Sequence, residues 1–169
     1  MKARNISPNV YTFAITITAL CKENRLHKAR KLLRDSEGTN IVPKPFIFNP
    51  VIDGFCKCRN LDEANLIVVE MEKKKCNPDK VTFTILIIGH CMKGRMLEAI
   101  GIFNKMLLIG CAPDDVTLQS LVSCLFMAGM PIEASRIGTV VSQDMKLAIS
   151  SSLDNNVPLG INRVVTVAV

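Results

Sequence analysis

Seven cysteines and two histidines are the side chains of this 169-residue sequence best able to ligate a metal or exchange disulfides. The densest arrangement is Cys56-Lys57-Cys58, inside FCKCRNLDEA at 55–64. A thiolate pair of this kind can hold zinc or run thiol–disulfide exchange. His27 and His90 share no common spacing to acids or cysteines, which reads as surface or packed histidine rather than a catalytic base. The sequence has no Gly-rich phosphate loop, and none of the H-x-E with P-C-x-x-C pattern of a zinc deaminase. The expectation is a protein without intrinsic catalysis, metal or cofactor.

What decides the cysteines is a period. Pro8, Pro43, Pro78 and Pro113 are each 35 residues apart, and so are Ala29, Ala64, Ala99 and Ala134. The same interval joins Phe13, Phe48 and Phe83, with Leu118 next, and joins Glu63, Glu98 and Glu133. Cys21, Cys56 and Cys91 share one place in the period, and Cys76 and Cys111 another. Equivalent places in stacked units lie about 10 Å apart, too far for their sulfurs to share a zinc ion at about 2.3 Å. Cys56 therefore reads as a buried repeat residue and Cys58 as an incidental surface thiol. Seven reduced cysteines fit a reducing compartment better than a disulfide scaffold.

Each period holds two helical stretches. In the third unit FTILIIGHCMK (83–93), with Thr82 as its expected N-cap, is followed by a Gly94-Arg95 turn and by MLEAIGIFNKMLLIG (96–110). Gly110 and Pro113 end the second helix. The second unit repeats the plan at 48–57 and 61–74. The alanine shared by the second helices marks a place of close packing. Two short helices cannot bury their apolar faces alone, so the units must stack into an all-α solenoid. The expected boundaries are 10–44, 45–79, 80–114 and 115–149, with 1–9 as the end of a preceding partial repeat. The fourth unit is degenerate, with Pro131 where Leu26, Leu61 and Met96 stood and Gly138 weakening its second helix, and could serve as a cap. Residues 150–169 read as loop or disorder ending in VVTVAV.

The apolar content of 49% and mean hydropathy of +0.28 fit helices buried on more than one side. No apolar run reaches the roughly 20 residues of a membrane span, since TILII at 84–88 is cut by Gly89 and His90. Twenty-one Lys and Arg against 15 Asp and Glu give a net charge of +6, which favours an anionic partner. The opening MKARNISPN shows no transit peptide or secretory signal.

The unit VTFTILIIGHCMKGRMLEAIGIFNKMLLIGCAPD at 81–114, with FNPVIDGFCKCRNLDEA at 48–64 and EMEKKKCNPD at 70–79, closely resembles the pentatricopeptide repeat over about 10–144. The tetratricopeptide unit is one residue shorter and its characteristic Trp is missing here, because the chain has no Trp. The resemblance implies a right-handed α-solenoid of helix-turn-helix repeats that binds single-stranded RNA along the concave face of the first helices, one base per repeat. It further implies an organellar setting, mitochondrion or chloroplast, in RNA processing, stability, editing or translation, alongside other RNA-processing proteins.

In that family two side chains per unit read a base edge, and their places here hold Ala14 with Lys44, Asn49 with Asp79, and Thr84 with Asp114. Asn/Asp resembles the family's pair for uracil and Thr/Asp its pair for guanine. Amide, hydroxyl and carboxylate groups supply suitable donors and acceptors. Gln119 is an unusual fourth selector whose closing place is Ile149. Ala14 and Lys44 offer no such reading, so the first unit is expected to contact phosphate at most. Pro50 is expected to fall in a first helical turn and to bias Asn49 away from helical geometry. The family's base-flanking places hold Tyr11, Phe46, Val81 and Val116. The Lys run at 73–75 answers the carbonyl end of its helix, with a phosphate contact as the lesser reading. The rival to RNA binding is a solenoid scaffold for a protein partner, or a fragment of a longer array, since two readable bases cannot select a transcript. Oligomeric state stays open.

Overall fold

The computed structural model describes residues 9–35, 42 and 44–139. The elements are α1 (Val10–Lys22), α2 (Leu26–Asp35), α3 (Pro45–Lys57), α4 (Leu61–Lys73), α5 (Lys80–Met92), α6 (Met96–Leu108) and α7 (Asp115–Met127). Residues 131–139, α8, are also helical. The described residues form an all-α solenoid, each unit an odd helix followed by an even one. The preceding-repeat segment 1–8, the tail 150–169 and Ile149 lie outside the described residues.

The turn inside each unit recurs with the sequence period. Asn24, Arg59, Gly94 and Gly129 all take the left-handed conformation, with φ of 57°, 58°, 78° and 74°. At each, the next residue's N–H reaches back into the preceding helix, as Arg25 does to Leu20 and Arg95 to His90. Glycine adopts this φ without penalty, whereas Arg59 does so against its own Cβ.

Helix starts differ from the expectation. Asp79, not Thr82, is the N-cap of α5: its carboxylate accepts from the Thr82 N–H at 2.9 Å, while the Thr82 hydroxyl accepts from the Asp79 N–H at 3.2 Å. This reciprocal capping box moves the start forward to Lys80. The same shift starts α3 at Pro45, which supplies a preset φ at its first position. Pro50 is thus the sixth residue of α3 rather than a first-turn residue, and Asn49 remains helical. The missing N–H of Pro50 leaves the Phe46 carbonyl without its helical donor.

The odd and even layers pack differently. Helix α3 buries seven of its 13 residues, among them Ile47, Val51, Ile52 and Phe55, because α1 and α5 cover it on two sides and α4 on a third. Helix α6 buries only Ala99, Phe103 and Met106 of 13, a single stripe at helical spacing. Ala29, Ala64, Ala99 and Ala134 are all 0% exposed, as close packing at this place requires. Among the described residues no Cα of α2 approaches α4 within 8 Å, nor of α4 approaches α6, whereas neighbouring odd helices do. The even layer is therefore wider, and the array curves with the odd helices on its inner face.

Ion pairs span the wider layer. Arg30 and Arg34 of α2 meet Glu70 of α4, each at 3.1 Å, Arg30 also pairs with Glu63, and Lys105 of α6 meets Glu72 at 3.0 Å. The fourth unit keeps its second helix: Pro131 sits at its first described helical position, and Ala134 and Ile137 are buried against the third unit's cluster around Phe103. No helix among the described residues is long and apolar enough to cross a membrane.

Candidate nucleic-acid interface

Tyr11, Phe46, Val81 and Val116 each occupy the second position of an odd helix. The N-cap before each helix fixes its first turn, and these side chains project from that turn with 63%, 39%, 54% and 60% exposure. They form a periodic apolar row on one edge of the odd layer. At its start the rings of Tyr11 and Phe46 stack at 6.0 Å between centroids and 14° between planes. An open groove of about 510 Å³ runs beneath them, lined by Ala14, Thr18 and Lys22.

The places expected for base selection are the fifth residue of each odd helix, and the expected closing places are the N-caps of the next. One helical turn separates selector from flanking residue, and stacking of the units brings in the N-cap from some 30 residues away. Asn49 Nδ2 donates to Asp79 Oδ1 at 3.2 Å. Thr84 meets Asp114 indirectly, through Thr117: the Thr84 and Thr117 hydroxyl oxygens are 2.7 Å apart, and Thr117 donates to Asp114 Oδ1 at 2.7 Å. The N–H and hydroxyl of Thr117, helped by Lys80, hold the Asp114 carboxyl below its ordinary range, so it is an anion at neutral pH.

Asn49 is only 7% exposed, so most of its surface is spent on packing. Thr84 is half-buried. The first unit lacks this arrangement. Ala14 is 9% exposed and part of the core, and Lys44 caps α3 with no side-chain bond. Gln119 is exposed on α7.

Two residues were missed from sequence: Thr82 and Thr117, both 0% exposed and both hydrogen-bonded to selector and closer. The signal was present, since both stand at one place in the period while Ile47 stands there in the second unit. The two thiols of the Cys56-Lys57-Cys58 stretch differ in their surroundings. Cys56 is 3% exposed, whereas Cys58 is exposed with its Sγ 3.6 Å from Asn24 Oδ1. His90 fills a core place, its Nδ1 2.8 Å from the Leu86 carbonyl, and His27 lies exposed with its ring edge-on to Phe55. Within the Lys run, Lys73 lies in the last turn of α4 and Lys74 donates to the Leu33 carbonyl at 3.2 Å, bridging two units.

Comparison with protein families agrees with this architecture. The PPR repeat family matches 43–92, and PPR repeat descriptions match 4–35 and 81–111, together more than half of the chain. The protein belongs to the pentatricopeptide repeat family. Among solved structures, the pentatricopeptide repeat protein PPR10 from maize superposes with a TM-score of 0.73 at 26% identity over 85% of this chain. PPR10 in complex with an 18-nt psaJ RNA element gives 0.67 at 24% identity over 80%. The PPR domain of Arabidopsis thaliana protein-only RNase P 1, in complex with tRNA, gives 0.67 at 13% identity, covering 83% of this chain and 75% of that one. The chain spans about one fifth of the length of PPR10. Comparison with curated proteins gave no match.

Proposed function

We propose that this array binds single-stranded RNA on the face of its odd helices, one base per unit, without catalysing a reaction on it. The observation that carries the reading is the convergence of Asn49 with Asp79, and of Thr84 with Asp114 through Thr117, one helical turn from an exposed apolar row in the same register. Polar edges beside stacking surfaces are what base recognition needs. The net charge of +6 favours a polyanion. The RNA complexes of PPR10 and of the RNase P 1 PPR domain support the same partner.

The second unit reads uracil and the third guanine in this proposal, giving a U-G step. Stacking contributes about 1–3 kcal/mol per base, so two reading units give modest affinity. The process served is organellar RNA processing, stability, editing or translation, in mitochondria or chloroplasts, with other RNA-processing proteins at hand.

The test is equilibrium binding of the purified chain to short single-stranded RNAs carrying UG, GU or CA in a neutral context, across a salt series. Preference for UG that weakens with salt, and moves to UU in Thr84→Asn, is the expected result. Salt-independent or absent binding to every RNA would overturn it and favour a scaffold for a protein partner.

A further inference from the structure

We infer that Thr82 and Thr117 are positioning residues for base selection: buried hydroxyls that fix which donors and acceptors the selectors present. The inference rests on the RNA-binding reading above and deepens it. Capping alone explains only part of their contacts. A capping residue needs bonds to its own helix's N-cap, which both threonines have. Thr82 also reaches into the preceding unit, with its Oγ1 2.7 Å from Asn49 Oδ1, and Thr117 likewise reaches Thr84 at 2.7 Å.

The proton inventory shows what this contact does. The Thr82 hydroxyl has one proton and two oxygens in range, Asn49 Oδ1 at 2.7 Å and Asp79 Oδ1 at 2.9 Å. Asp79 Oδ1 is already served by the Thr82 N–H at 2.9 Å and by Asn49 Nδ2 at 3.2 Å, so the proton goes to the closer amide oxygen. The Asn49 amide is then held at both ends, Oδ1 by Thr82 and Nδ2 by Asp79. Turning it over would set its oxygen against the carboxylate, acceptor to acceptor. This matters because uracil and cytosine differ in the same exchange: uracil offers an N3 donor beside an O4 acceptor, cytosine an N3 acceptor beside an N4 donor. An amide free to turn over would accept both.

At the next junction Thr84 lies 2.9 Å from the Lys80 carbonyl and 2.7 Å from Thr117 Oγ1, so its single proton is used inside the protein. What Thr84 and Asp114 leave for a ligand is acceptors only. Guanine is the base with two adjacent donors, N1–H and N2–H, on its Watson–Crick edge.

The first junction supplies the contrast. There the selector is Ala14, the closer Lys44, and the place of Thr82 and Thr117 is taken by Ile47, 2% exposed. The threonine is present at the two junctions that have a polar selector and an acid, and absent at the junction that has neither. Thr12 holds the same place in the first unit and bonds its own N-cap Asn9, so the place by itself serves capping. What distinguishes Thr82 and Thr117 is the added contact to the selector of the preceding unit.

The experiment uses the full chain and its Thr82→Val, Thr82→Ser and Thr117→Val variants. Binding is measured to RNAs that vary U against C at the first base of the UG step and G against A at the second, with thermal melts alongside. Thr82→Val should lose the preference for U over C by about tenfold while keeping that for G over A; Thr117→Val should do the reverse. Thr82→Ser, which keeps the hydroxyl, should retain discrimination within about twofold of the parent. General destabilisation moves both preferences together and cannot produce this crossed pattern. Undiminished discrimination in both valine variants, or equal loss at both bases in each, overturns the positioning role and leaves RNA binding standing. No base preference in the parent chain overturns the base-reading proposal and this one with it.

Discussion

Gly89 of α5 lies against Cys56 of α3 so closely that a Cβ at position 89 would fall 2.8 Å from both the Cβ and the Sγ of Cys56. The Cβ of Cys56 is fixed to the backbone and cannot turn away, so α3 and α5 would have to move apart. Gly89→Ala should destabilise the array by about 1–3 kcal/mol. Gly101 of α6 has nothing within 4 Å, and Gly101→Ala should stabilise by about 0.5–1 kcal/mol through helix propensity. Urea midpoints of the two variants check the pair, and equal effects would contradict the close approach of the odd helices.

Arg59 holds a left-handed φ of 58° where the third and fourth units use glycine. Its backbone carbonyl accepts from Lys93 Nζ at 2.9 Å, and that bond survives substitution. Arg59→Gly should therefore raise stability by about 1 kcal/mol, whereas Gly94→Ala should lower it by a similar amount. Thermal melts at fixed protein concentration distinguish these signs.

Acid should loosen the even layer. Burial would raise the Glu70 carboxyl, but the hydrogen bonds from Arg30 and Arg34 outweigh it and hold the group below 4.5. A depressed carboxyl stabilises the fold above its unfolded value and loses that contribution as pH falls through its folded one. Glu70→Gln should lower the melting temperature at pH 7, with the gap to the parent closing below about pH 4. A gap that stays constant from pH 7 to 3 would show that the Arg30–Glu70–Arg34 group does not bear on stability.

Burial sets the order of thiol reactivity. It pushes Cys56 up to about 12, with Asp53 adding to the shift, and Cys91 to about 12 with Cys124 beside it. Both thiols stay protonated at pH 7 and are sterically covered. Iodoacetamide should label exposed Cys58 first and reach Cys56 and Cys91 only on unfolding, as peptide mass spectrometry would show. Native labelling of Cys56 at the rate of Cys58 would contradict their placement.

Much of the fold was legible because the sequence repeats. A recurring Ala at 29, 64, 99 and 134 and a recurring apolar spacing leave one way to bury every unit, so the all-α stacked plan and the packed place of the alanines could be read directly. Helix starts were read three residues late in α3 and α5. Apolar periodicity begins at Phe48 and Phe83, while the backbone is held from one turn earlier by Pro45 and by the Asp79–Thr82 box. Capping is a local hydrogen-bond matter to which a hydrophobic pattern is blind.

The sequence by itself determined the repeating all-α plan and the recurrence of polar residues at 49, 79, 84 and 114, because a period forces equivalent residues into equivalent environments. Tertiary structure alone decided that Asn49 meets Asp79 directly while Thr84 reaches Asp114 through Thr117, and that Thr82 clamps the amide. Those contacts join residues 30 or more positions apart across two stacked units. Their distances follow from how closely α3, α5 and α7 approach, which side-chain volumes such as the missing Cβ of Gly89 set and no one-dimensional pattern records.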